Sequence, residues 1–533
     1  MGLNEFLKEA CKAKLENIPE SRQLLYIKSA NIFRFLNESS VDSLAEQYTN
    51  VLGEYIQHLE QFYDAASIQE RKYMLELQSI WELCQILYFQ KEQPCQITQL
   101  LDWQSKVFQR YLWEYDRYNI HISTLKNKDF WPFAYRLVLF GQLDSLSNLL
   151  SAAISTFPTD LVPFLKEIQS SLSQPDRHSI LHPLLAQLKQ QEDTKDLVIL
   201  CNLLLGDIRT ISRHAVHPVQ IHIASRLYNN TTTPSYASEG GRDLLESLMI
   251  GDIYSAFSFC VQHDWWLIVH LCFLFSKKQM LDRSIQVALN DGSMLELKCT
   301  DYFTVFYASS LMNGCGAWKD GFYYLLACEE TGKLAINEHL KRMEFENEIE
   351  LKKMVNFCVD HELKGEGLAI YERKALKYLD LKEYQNAIDY FELAERFVCF
   401  DMVLIQVIQD YSSTGTLVEL DIKERPEKTV YTKVYSYLLA IKQSVNESDY
   451  TAAGREFRDL VQLVTLPDWI ISLVYQEGVK LVEKKGDCLE LDVLLSLKEM
   501  WKELQCEENS LEFDLFLDTS SITLSRAIDR QSE

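Results

Sequence analysis

The sequence predicts an all-α protein, an irregular α-helical solenoid with no substantial β-sheet, and three observations carry that prediction. Apolar residues recur at helical spacing along the whole chain, while strand-like alternation is almost absent. Glycine (18) and proline (11) are scarce in 533 residues and no long linker divides them, so one continuous helical architecture is simpler than several domains. The third observation is the stretch Asp264–Phe275, where Trp265-Trp266-Leu267-Ile268-Val269-His270-Leu271-Cys272-Phe273-Leu274-Phe275 is apolar all round except at His270. A helix with no polar face must be enclosed on every side, because two Trp and two Phe are too much surface for one neighbour to cover. It falls well short of the roughly 20 apolar residues that cross a bilayer, so it is a central core helix.

Composition narrows the function classes. A hydrophobic fraction of 47% and an aromatic fraction of 12% are ample for a large core and exclude general disorder. The formal charge of −24, without a segregated basic stripe, speaks against direct nucleic-acid binding. The 13 cysteines are scattered with no C-x-x-C pair and no signal peptide is evident, which predicts reduced, mostly buried thiols in a cytosolic or nuclear setting. Phe6 stands where a myristoylation signal at Gly2 requires Ser or Thr, so no lipid anchor is expected.

Taken in order, Asn4–Leu15 is amphipathic, with Phe6, Leu7, Ala10, Cys11 and Leu15 on one side. Leu24–Leu36, Val41–Phe62 and Ile68–Phe89 continue as long helices, and Leu100–Tyr118 follows the break at Pro94. Next comes a pair of helices across Phe130–Leu150: Asp129 caps the first, Pro132 sits in its first turn, Trp131, Tyr135, Val138 and Leu139 face inward, Gly141 ends it, and Asp144 caps the second. Leu161–Leu205 stays helical with breaks at Pro175 and Glu192–Asp193, and Asn229–Gly241 is the clear loop of the first half. After the central helix, Ile285–Leu289, Cys299–Met312 and Trp318–Cys328 are expected as shorter helices. Ala369–Arg396 has the pattern of a tetratricopeptide-like hairpin, with Ala375, Ala387 and Ala394 where helices approach closely, but no fixed period runs through the chain. Val434–Val445, Tyr450–Val464, Trp469–Val482 and Leu489–Leu504 are the last amphipathic helices, and Asp518–Glu533 has little to bury and is expected to fray. The total comes to roughly 25 to 30 helices at ordinary helix lengths.

Nothing in the sequence organises a catalytic, cofactor or metal site. His214, His217 and His222 are the densest histidine cluster, but Pro218 breaks the register between them and no fourth ligand lies at a fitting offset, so capping or solvent-facing histidines are the simpler reading. The doublet His263-Asp264 resembles part of a helical metal phosphohydrolase, which makes a hydrolase using His214, His217, His263 and Asp264 the rival of a different class. A helix cap before Trp265 accounts for Asp264 more simply. Asp360-His361-Glu362 cannot converge from one helix, Gly332-Lys333 lacks the rest of a phosphate-binding loop, and Gly314-Cys315-Gly316 is no nucleophile elbow. The surface is the remaining candidate. A solenoid's last helices lack a neighbour on one side, which makes Trp469, Ile470, Leu473, Val474, Leu489 and Leu494 the expected partner interface, and Trp131, Gly141, Trp265, Trp266 and Leu271 the expected structural core.

Three blocks carry a family resemblance: Asp252-Ile253 through Trp265-Trp266-Leu267-Ile268-Val269-His270-Leu271; Asp129-Phe130-Trp131 followed by Gly141-Gln142-Leu143-Asp144; and Tyr302–Ser309, Trp318, Ala375–Ala394 and Ala452–Leu463 leading to Pro467-Asp468-Trp469. In order and spacing, across roughly Tyr73 to Lys485, the chain resembles the nucleoporin-85 family of the Y-shaped nuclear pore scaffold. The resemblance implies an ancestral coatomer element, a solenoid folded back on itself as crown, trunk and tail. On this sequence that gives a trunk segment at 1–125, a crown-like segment at 126–300 holding the central helix, returning trunk helices at 301–425, a tail at 426–510 and a frayed end at 511–533. It implies a non-catalytic scaffold at the nuclear envelope that serves mRNA export and protein import. The partners implied are other helical Y-complex nucleoporins bound through the tail, with neither nucleic acid nor membrane contacted directly. A vesicle-coat or tethering subunit is the nearest alternative, since coats share the architecture. Family members also begin with a β segment that completes a WD-repeat propeller partner, whereas Asn4–Leu15 has helical spacing, which leaves the propeller partnership open.

Overall fold

The computed structural model describes residues 2–13, 22–90, 96–109, 128–155, 158–174, 176–191, 194–229, 243–289, 293–345, 347–422, 429–463, 466–485, 488–504, 522 and 524–530. Among them the chain is a succession of α-helices interrupted by one two-stranded hairpin, and it divides into two compact units, Met1–His339 and Leu340–Glu533. The boundary falls inside the stretch that the resemblance assigns to returning helices.

In the first unit, short polar residues start the helices. Ser40 accepts the Ser43 N–H at the head of Val41–Leu59, Asp64 accepts that of Ser67 before Ala65–Cys84, and Asp252 that of Ser255 before Ile253–His263. Ala65–Cys84 runs into a π-helical turn at Gln85–Phe89, which brings Phe89 against Phe275 with ring centroids 5.0 Å apart. Gly2–Ala10 is helical and buries Phe6, Leu7 and Ala10; Phe6 meets Tyr302 and Phe306 of the Cys299–Cys315 helix. The pair Phe130–Leu139 and Leu143–Ile154 turns at Gly141, whose φ of +67° and crowding against Leu101 and Leu227 leave no room for a side chain. Asp144 lies inside the first turn of the second helix, whose cap position is Gln142. Trp131 is only half-buried: it stacks along Tyr135, while Phe130, Phe133 and Ala134 take the core positions.

The helix Trp265–Lys277 is the centre of this unit, and helices that precede and follow it in sequence both pack on it. Trp266 stands against Trp81 and Tyr48 from the preceding segment, and His270 meets Tyr307 and Tyr324 from the following one. Trp266 and Leu271 are buried to within 1% of full enclosure. Trp265 is half-buried and stacks on Phe306 at 5.7 Å, so only one of the adjacent indoles is completely surrounded. No described helix is long and apolar enough to cross a membrane.

The expected helix at Ile285–Leu289 is instead a strand. Ser284–Ala288 pairs antiparallel with Met294–Lys298, with Ile285 opposite Leu297 and Val287 opposite Leu295. The alternation of Ile285, Val287 and Leu289 across the intervening Asn290-Asp291-Gly292 is a hairpin pattern with period two, and its five-residue strands are too short to look different from one turn and a half of helix.

The second unit stacks Glu348–Asp360, Lys364–Asp380, Tyr384–Leu393, Phe400–Thr414, Val430–Asn446, Tyr450–Val461, Asp468–Lys484 and Leu491–Leu504 in sequence. In the tetratricopeptide-like pair, Ala375 and Ala387 are fully buried where the helices touch. The expectation of a frayed end does not hold for residues 524–530, which are helical and bury Leu524 and Ala527. Most described cysteines are buried, and each is a free thiol.

Candidate functional site

The six residues expected at the interface lie on the last two long helices and the turn between them. Asp468–Lys484 follows Pro467, whose extended backbone (φ −61°, ψ 145°) turns the chain into the helix, and it packs against both Tyr450–Val461 and Leu491–Leu504. The approach is close. A Cβ on Gly454 would come within 2.0 Å of the Cys488 carbonyl oxygen, so glycine is what allows the 488–489 turn to lie on that helix.

The packing leaves most of the expected interface residues inside the chain. Ile470, Leu473, Val474, Leu489 and Leu494 are buried to within 1% of complete enclosure by this chain's own helices, so they have no surface left for a partner. Trp469 is half-buried. Among the described side chains of Leu491–Leu504, the exposed apolar ones are Leu491 and Leu495, 37% and 47% exposed and one turn apart. They were hidden in the sequence because Leu491-Asp492-Val493-Leu494-Leu495 offers apolar residues on nearly every side, and helix phase cannot be fixed from so short a run. Beside them Arg458 pairs with Glu490 and lies 3.4 Å from Asp492; these pairs are exposed, worth only tenths of a kcal/mol to about 1 kcal/mol.

The polar groups around the central helix have structural work. Asp264 accepts the Trp266 N–H at 2.7 Å and the Leu267 N–H at 3.2 Å, which makes it the helix cap. Its second oxygen takes the Tyr73 hydroxyl at 2.9 Å and faces the Arg22 guanidinium at 3.4 Å. Arg22 in turn grips Glu70 with two bonds of 2.7 and 2.6 Å. Burial pushes the Asp264 carboxyl up from its ordinary value, against the pull of Arg22, Tyr73 and the two helix N–H groups. For Arg22 burial acts against the charge, but the Glu70 bonds and the surrounding Tyr26 and Asp264 outweigh it and raise its pKa.

His270 is set by the same logic. The Trp266 carbonyl, 2.6 Å from Nδ1, has no proton to give, so Nδ1–H donates and Nε2 accepts the Tyr324 hydroxyl at 2.8 Å. Burial lowers its pKa to about 3, so the imidazole is neutral and both nitrogens are occupied. Trp266 completes the arrangement by donating its indole N–H to Ser29 Oγ at 2.8 Å.

The histidine cluster does not converge. His217 accepts the Val219 N–H on Nδ1 at the start of Pro218–Asn229 and faces Asp243 at 2.9 Å through Nε2, His222 is buried inside that helix, and His214 lies edge-on to Tyr135. Burial lowers the pKa of both His214 and His222. Among the described residues no group of three His, Cys, Asp or Glu side chains is placed to hold a metal ion; the His263 side chain is outside them.

The family model described as Nup85 Nucleoporin matches residues 22–445, which takes in the Arg22 cluster, the central helix and the second unit as far as Val430–Asn446. The chain is 21% identical over 392 residues to the nuclear pore complex protein Nup85 of Bos taurus, covering 64% of this chain and 58% of that protein. The Danio rerio protein of the same name is 21% identical over 398 residues, 66% of this chain and 59% of its own length. The human one is 21% identical over 394 residues, 65% and 58%. The chain thus spans less than two thirds of the length of the relatives it matches.

Proposed function

Since this chain belongs to the Nup85 nucleoporin family, we propose that it is a structural, non-catalytic scaffold subunit of the nuclear pore complex. On this reading it sits in the Y-shaped outer-ring coat at the nuclear envelope and supports mRNA export and protein import. The observation that carries the reading is the family match across 22–445, over a chain whose described helices pack on their neighbours in sequence within each unit, the first unit around a buried central helix. The buried His270 and Asp264 and the half-buried Arg22 are each committed to hydrogen bonds that hold helices together, which suits a rigid structural element.

Its partners on this reading are other helical nucleoporins, bound through the C-terminal helices between Val434 and Leu504. The outward pair Leu491 and Leu495 favours the Leu491–Leu504 helix as the contact, because large apolar side chains one turn apart are what a partner helix or groove takes hold of. The bilayer is shaped by the assembled lattice and not by this chain.

Fusion of the chain to a fluorescent protein, followed by imaging and identification of copurifying proteins, tests the proposal. A punctate nuclear rim with helical nucleoporins in the eluate is the expected result. Accumulation on vesicles with coat or tethering subunits, or a diffuse signal with neither, would overturn it. Recovery of a WD-repeat propeller protein would add that partner to the helical ones.

A further inference from the structure

In a chain of formal charge −24, one groove in the second unit is basic. Its volume is about 410 Å³, and Lys341, Arg342, Arg373, Lys374 and Lys377 line it, with Glu344 the one carboxylate among its described lining residues. Two of these cations are fixed in place. Arg373 donates to the Leu340 and Lys341 carbonyl oxygens at the end of the Glu329–Arg342 helix, and Lys374 pairs with Glu348 and lies 4.9 Å from the centre of the Tyr390 ring. Lys341, Arg342 and Lys377 stand exposed around the mouth. The floor is different in kind. Buried Leu351 and Ile370 and half-buried Phe345 form it, and Leu381 projects at the rim, 60% exposed.

We propose that this groove docks an acidic segment of a partner protein that carries a large apolar side chain. The rim supplies positive charge for carboxylates on either side of an anchor, and the apolar floor removes that anchor from water. The space holds one or two side chains and not a folded domain, so the occupant is a segment. A nucleic acid fits less well, because a phosphate backbone offers no large apolar side chain to the aliphatic floor of Leu351 and Ile370. The proposal stands apart from the pore assignment, since peptide capture requires no assembled pore.

The test uses the full chain and a fluorescein-labelled, glutamate-rich peptide with a central Phe-Leu pair, followed by fluorescence anisotropy. Binding that weakens as salt rises is expected. The double variant Arg342→Glu/Lys377→Glu should weaken it about tenfold or more, and Lys433→Glu, an exposed cation outside the groove, should leave it unchanged. All three altered side chains are exposed, and thermal melts of each variant beside the wild type check that it stays folded. Leu381→Ser, which keeps every charge, should weaken the Phe-Leu peptide but not a plain polyglutamate of equal length. No binding, or binding that the double variant leaves intact, overturns the proposal. So does full displacement by inorganic phosphate or by a short single-stranded RNA, which would make the groove an anion or nucleic-acid site. A concentration-dependent dimer abolished by the double variant would put a second copy in the groove and overturn it as well.

Discussion

Trp266 and His270 occupy successive turns of one face of the central helix, and their fates under mutation should differ from those of their neighbours. Trp266 is enclosed by Trp81, Tyr48 and the Ser29 hydroxyl, so Trp266→Ala should cost about 3–5 kcal/mol. Trp265→Ala, at a half-buried position, should cost about half as much or less, and thermal melts of the two variants check the order. His270 makes stability depend on pH. Its folded pKa of about 3 lies below the ordinary 6.5, so the unfolded chain binds the extra proton; the native state keeps its full advantage above pH 6.5 and loses it progressively as pH falls toward 3. The loss attributable to this residue should reach about 2 kcal/mol at pH 5, and His270→Gln should flatten the stability profile between pH 6.5 and 5 relative to wild type. At this scale the sequence disclosed the local half of the arrangement. Asp264 as the cap of Trp265–Lys277 follows from two adjacent positions, but its partners Arg22 and Tyr73 lie 242 and 191 residues away, and no spacing rule connects them.

At the scale of elements, helix spacing located the long helices because each buries a stripe many residues long, as in Val41–Leu59 and Val430–Asn446. It failed where the run was short. Ser284–Ala288 offers only Ile285 and Val287 to decide between periods, and Leu491–Leu495 offers leucines at several phases at once. The helix pair at Gly141 was legible because a positive φ singles out glycine, whereas the contact at Gly454 was not, since an ordinary helical glycine gives no sign that the 488–489 turn lies against it. That contact yields a prediction. Gly454→Ala places a methyl group on the Cys488 carbonyl, and the backbone must yield, at a cost of about 1–3 kcal/mol. The effect should stay local, so amide exchange should quicken across Tyr450–Val461, Asp468–Lys484 and Leu491–Leu504 and remain at wild-type rates in Trp265–Lys277.

For the molecule as a whole, folding and the proposed association would make opposite demands on Leu491–Leu504, and the two can be separated. Leu494 points into the chain and Leu495 points away from it, although they are adjacent. Leu494→Ala should therefore destabilise the protein by about 2–5 kcal/mol through the cavity it leaves. Leu491→Glu/Leu495→Glu should change stability by no more than about 0.5 kcal/mol per site, because each side chain already meets water. Yet if the C-terminal helices hold the chain in a larger helical assembly, the same double change puts two carboxylates where a partner expects apolar surface, on a protein already at −24. Rim localisation and copurification of helical nucleoporins should then be lost while the melting temperature is kept. A folded double variant that still reaches the nuclear rim with its partners would move the contact elsewhere on the chain, whereas loss of the rim signal from Leu494→Ala would report unfolding alone.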